Sequence, residues 1–136
     1  MSVVTPFSVF KTNAKLEKEG IIIDYEAFKF RIARAGGANS DYKRILRAKF
    51  RPFRHQFETE TISNEIAKKL LIEVFAESVV LGWEGVCDED GNEIEFNKEN
   101  CVKLLTELPD LFNDLQEQAS NYKLFRQAEI KDEAKN

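Results

Sequence analysis

Two cysteines and one histidine are all that this chain of 136 residues offers as soft metal ligands. Structural zinc takes four such side chains at short paired spacings. Cys87 and Cys101 are separated by thirteen residues and His55 lies far upstream, so a zinc site built from them is excluded. The two thiols read instead as reduced side chains of a cytosolic protein, a compartment where pairing between them would be unusual. Long apolar runs are missing too. "IEVFAESVVLGW" is broken by Glu73 and Glu77, well short of the roughly 20 residues a membrane helix needs. The opening "MSVVTPFSVFKTNAK" has no basic region ahead of an apolar core, so no secretory signal is expected. Gly36-Gly37 fits neither the dinucleotide nor the P-loop spacing and reads as a chain reversal.

What the chain does hold is charge. The stretch "GWEGVCDEDGNEIEF", Gly82 to Phe96, crowds carboxylates beside the one tryptophan. An EF-hand needs oxygen ligands at its first, third and fifth positions, Gly at the sixth and a bidentate Glu at the twelfth. With Gly91 as the sixth, Asp88 and Asp90 fall correctly, but Val86 and Asn97 occupy the first and twelfth positions. Calcium is therefore not expected. Asp90-Gly91, with Val86 before it and Ile94 and Phe96 after it, spells a tight hairpin turn. A catalytic carboxylate pair needs one member desolvated, and a turn tip keeps its acids wet. His55, in "FRPFRHQF", sits among cations in a surface-like context. No residue pattern argues for an enzyme.

The net charge of −4 conceals an asymmetry. Residues 21–57 carry nine Lys and Arg against three Asp and Glu; residues 58–118 carry four against sixteen. Such a chain can attract its own copies head to tail, or can fold so that the two parts neutralise each other. The stretch "YKRILRAKFRPFRHQF" interleaves cations with aromatics, as many nucleic-acid binders do. Binding of nucleic acid through residues 42–57 is thus a second hypothesis, set against an acidic whole chain in which Phe50, Phe53 and Phe57 serve equally well as core.

The patterning predicts a single α+β domain over residues 1–136, mainly helical, with an N-terminal β-hairpin followed by about four helices and a short acidic hairpin between helices. Residues 1–20 read as an arm. The alternation of Phe28, Phe30 and Ile32 after the "IIIDY" run gives a hairpin over 21–35, bent near Glu26-Ala27. A helical segment spans 39–82, opened by Asn39 or Ser40, broken at Pro52 and resumed near Thr61 or Ser63. The acidic hairpin covers 83–96, with Gly91 at its turn and Trp83 anchoring it to the central helix. A second helical segment spans 98–128, with Asn97 as cap and Pro109 in a first turn. Residues 129–136 are expected to form a loose tail.

Two stretches carry a resemblance. "LEKEGIIIDYEAFKFRIARAGGANSDYKRIL", Leu16 to Leu46, and "GWEGVCDEDGNEIEFNKENCVKLLTELPDLFNDLQEQAS", Gly82 to Ser120, together cover about half the chain. In the second, Trp83-Glu84-Gly85 precedes Asp90-Gly91, then come Phe96, Glu99-Asn100 and Leu108 to Leu111. In content and order these segments resemble the tail assembly chaperones of long-tailed, siphovirus-type phages. The resemblance implies a non-enzymatic assembly factor of the host cytoplasm, absent from the finished virion, that self-associates and keeps the tape measure protein soluble while the tail tube assembles. It implies a longer form, made by ribosomal frameshifting, that engages the tube protein. The ending Ala134-Lys135-Asn136 can be encoded with the slippery heptamer A AAA AAC. No catalytic, cofactor or metal residues come with the family, and no membrane role.

Set against that function, the sequence suggests two surfaces. Arg44, Arg47, Arg51 and Arg54 are candidates to meet Asp88, Glu89 and Asp90 of a neighbouring copy. Leu111, Phe112, Leu115, Tyr122 and Phe125 form a helical stripe that is either a client-binding face or part of the domain's own core.

Overall fold

The computed structural model describes residues 3–126. Local chemistry starts most of its helices. The Thr5 hydroxyl accepts from Ser8 N, the Ser8 hydroxyl accepts from Thr5 N, and Pro6 fills the first turn of α1 (Pro6–Phe10). Asn13 caps α2 (Ala14–Glu19), which stops at Gly20. There φ is +92°, and any side chain would strike the Ile32 carbonyl at 2.9 Å. β1 (Ile21–Asp24) and β2 (Lys29–Ile32) pair antiparallel, with Ile21 opposite Ile32 and Ile23 opposite Phe30. The Asp24 carboxylate closes their turn by accepting from Glu26 N at 2.7 Å.

α3 (Ser40–Phe50) passes through a 3-10 turn at Arg51–Phe53, where Pro52 sits, into the short α4 (Arg54–Glu58). Ser63 caps α5 (Asn64–Ser78), accepting from Ile66 N at 3.1 Å. β3 (Val80–Glu84) follows at once. Asn97 caps α6 (Lys98–Glu107), Pro109 opens α7 (Pro109–Ser120), and residues 122–126 are helical.

The sheet has the order β1-β2-β3, antiparallel throughout, with Phe30 opposite Trp83 and Arg31 opposite Gly82. A register shift between Arg31 and Ile32 leaves Leu81 without a partner. One face of the sheet, with Phe30, Ile32 and Val80, joins a core completed by Phe75 and Val79, Leu105 of α6, and Phe112 and Leu115 of α7. α5 is central, in contact with α3, α6 and β3. Its Phe75 ring stands edge-on to Tyr42 at 6.1 Å and to Phe112 at 5.3 Å, a favoured aromatic geometry.

This order overturns the expected architecture of an N-terminal hairpin followed by about four helices. Helices precede the hairpin as well as follow it, and a strand inside the expected helical run of 39–82 completes a three-stranded sheet. The run Val79-Val80-Leu81 continues the apolar rows of α5, so periodicity alone extends the helix. Pairing decides otherwise. Ala33 N donates to Val79 O at 2.8 Å, and the buried Asn39 amide donates to Ser78 O at 3.0 Å, so the loop after β2 captures the last carbonyls of α5. The chain then continues as a strand on β2. Asn39 correspondingly gives α3 no side-chain cap bond. Residues read as an arm, 1–20, hold α1 and α2 instead. Trp83 belongs to β3 rather than to the acidic hairpin. The expected tail at 129–136 and the end of the second helical segment lie outside the described residues.

Candidate interaction surfaces

The cations of the basic stretch divide by helical geometry. Arg44, Arg47, Arg51 and Arg54 recur at three- and four-residue steps and are all exposed, forming one ridge from α3 into α4. Two of them are engaged locally: Arg44 with Asp41 at 3.2 Å and Arg54 with Glu58 at 3.0 Å. Arg47 and Arg51 make no ion pair among the described residues. Lys49 turns the other way, to Glu77 at 3.1 Å and Glu73 at 4.0 Å on α5, and Lys98 reaches Glu77 from the opposite side at 2.9 Å. Burial by itself raises the Glu77 pKa. Hydrogen bonds from Lys98 and Lys49 outweigh that and hold the carboxyl below its ordinary 4.5.

Beside the ridge lie Phe50 and Phe57, their rings 5.7 Å apart at 77°. Phe57 is 59% exposed. The two rings, with Arg47, Arg51, Arg54 and Glu58, line a depression of about 340 Å³. A second depression of about 420 Å³ shares both rings and runs across Ala67, Lys68 and Leu71 of α5 to Phe112 of α7. The Phe-x₆-Phe spacing is visible in the sequence; the arrival of Leu71 and Phe112 beneath it is not. His55, in α4, is exposed.

The acidic stretch closes as a turn. Cys87 and Glu93 form a bridge, Gly91 takes φ +86°, and Asp88 Oδ1 accepts from both Asp90 N and Asn92 N at 2.9 Å. One Asp88 oxygen is thus committed to holding the loop. Asp88, Glu89 and Asp90 all face solvent, and none makes an ion pair among the described residues. Trp83 ties the base of this turn to the sheet. Its indole N–H donates to Ile94 O at 2.8 Å, and its ring meets Phe96 at 5.0 Å and Phe30 at 5.5 Å. Its aromatic partners thus lie on β2 and after the turn, not on the central helix.

The C-terminal stripe goes mostly inward. Phe112, Leu115 and Phe125 are fully buried in the core, while Leu111 and Tyr122 are half-buried and Tyr122 packs on Phe10 at 5.3 Å. The three buried members therefore offer no surface to a client in this conformation, because closing the core against α5 and the sheet already covers them. Exposed apolar side chains occur elsewhere: Phe7 and Phe10 on α1, Ile22 and Leu81 on the open face of the sheet.

Among the described residues no helix is long and apolar enough to cross a membrane. A family model described as YdaY prophage protein matches residues 37–136, most of the chain. No curated protein and no solved structure matches it.

Proposed function

We propose, from the premise that the chain belongs to the YdaY prophage protein family and is therefore phage-derived, that it acts as a tail assembly chaperone. It is a binding protein rather than an enzyme. It self-associates and keeps the tape measure protein in solution in the host cytoplasm, and is left out of the finished virion. A longer frameshifted form would engage the tube protein.

The observation that carries this reading is the separation of exposed, unpaired charge. Arg47 and Arg51 project from the ridge and Asp88, Glu89 and Asp90 from the turn, without ion-pair partners among the described residues. A ridge meeting the turn of the next copy is a heterologous contact that need not close on itself, and an open stack suits a long client. Such contacts are exposed and strongly screened by salt. Light scattering across a titration from about 0.05 to about 0.5 M salt should show large species at the low end dissociating toward the high end. Oligomers indifferent to salt, or none at any salt, overturn the self-association. Co-expression with the tape measure protein tests the client: it should move from the pellet to the supernatant.

A further inference from the structure

The groove around Phe50 and Phe57 has a floor and a rim of different chemistry. Its floor is apolar: Phe57 leaves more than half of its surface in water, Phe50 is half-buried, and Leu71 and Phe112 underlie the second depression. Its rim is cationic: Arg47, Arg51 and Arg54 on one side and Lys68 on α5 on the other. Glu58 is the one acidic group lining these depressions, and Arg54 already neutralises it at 3.0 Å. A rim this positive on a chain of net charge −4 is local and specific.

We propose that this groove receives an amphipathic helix of a partner protein, its apolar row flanked by carboxylates, a docking mode that rests on the binding-protein reading above. The two depressions adjoin and share both phenylalanines, so side chains three or four positions apart on one helix, about 5–6 Å from each other, enter one each. Carboxylates on either side of that row then meet Arg47 and Arg51 across the groove from Lys68.

Two other occupants fit less of what is there. The acidic turn of a second copy satisfies the rim, but its tip, Asp88 to Asn92, carries no apolar side chain for the floor. A nucleic-acid strand needs ring faces laid out for successive bases, whereas the Phe50 and Phe57 rings stand at 77° to each other. An acidic helix and a neighbour's turn therefore compete for the same arginines.

The test uses the full chain and a fluorescent synthetic helix of about eighteen residues, with a leucine row at the i, i+3, i+4, i+7 positions and glutamates beside it. Anisotropy should report saturable binding, weakened about tenfold or more by Phe57→Ala and by Arg47→Glu with Arg51→Glu. The same peptide with serines replacing the leucines should not bind. Thermal melting should place Phe57→Ala close to the parent chain, since that ring is mostly in water. Equal binding of the serine peptide, an indifferent Phe57→Ala, or displacement of the helix by oligothymidylate would overturn the proposal. Light scattering on the same samples separates it from self-association. Peptide bound by a chain that never assembles leaves the groove standing and removes the stack; assembly that survives Phe57→Ala while peptide binding is lost supports the groove.

Discussion

The carboxylate of Glu17, on α2, meets the guanidinium of Arg34, in the loop after β2, at 2.5 Å. Only 5% of the Glu17 side chain and 24% of the Arg34 side chain are exposed. The Thr12 hydroxyl donates to the other Glu17 oxygen at 3.0 Å, and Arg34 N donates to the Glu17 carbonyl at 2.9 Å. This pair holds α2 against the loop whose Asn39 captures the end of α5. Breaking a buried pair from one side strands a charge, so Glu17→Ala is expected to cost about 3–5 kcal/mol in urea unfolding. Glu17→Gln, which keeps an acceptor, should lose clearly less. Equal losses would mean that the pair contributes packing alone.

The Lys49–Glu77–Lys98 cluster makes stability depend on acid. Because the folded Glu77 carboxyl titrates below its ordinary 4.5, its contribution is complete above that pH and disappears as the pH falls through the lower folded value. Glu77→Gln should therefore lose about 1 kcal/mol near neutral pH, discounted because these side chains are partly in water. Well into acid, below the lowered folded value, the variant should match the parent chain. Unfolding curves at the two pH values check this, and a difference that does not change with pH sinks it.

The two thiols should be separable by rate. Cys87 is exposed, whereas Cys101 is fully buried and burial pushes its thiol up to about 12. The reactive thiolate of Cys101 is scarce at neutral pH and out of reach. A thiol reagent should modify Cys87 quickly in the native chain and Cys101 only on unfolding. Fast modification of both in native buffer would contradict the packing around α6.

Trp83→Phe should destabilise the join between the acidic turn and the sheet by about 1–3 kcal/mol, because it leaves the Ile94 carbonyl without its indole donor. The same substitution removes the chain's only tryptophan emission, so thermal melting should be followed by circular dichroism. A melting temperature unchanged from the parent would mean that water replaces the indole at no loss.

Capping and turn chemistry are written locally, and much of the helical framework could be read from them. Ser63 and Asn97 start α5 and α6 by accepting from backbone N–H groups three residues on, and Pro109 opens α7 because its own φ is already set for a first turn that needs no N–H donor there. Asp90-Gly91 closes its turn through the neighbouring Asp88 carboxylate. The arginine ridge was legible only in part: helical spacing aligns residues 44, 47 and 51, whereas Arg54 lies past the expected break at Pro52 and joins the ridge only because a 3-10 turn and α4 carry the helix on.

Asn39 marks where local reading stops: it looks like a cap, yet its amide is spent on Arg34 and Ser78, the latter 39 positions away. By itself the sequence determined where charge and apolar area lie along the chain and where most helices begin. Only the tertiary structure decided that Val80–Glu84 is a strand, that Phe112, Leu115 and Phe125 are core, and that Phe50 and Phe57 share a groove with Leu71 and Phe112. The physical reason is that an apolar row states a need for cover but not the identity of what covers it. A β-branched run becomes a strand only when distant backbone donors and acceptors stand opposite its own.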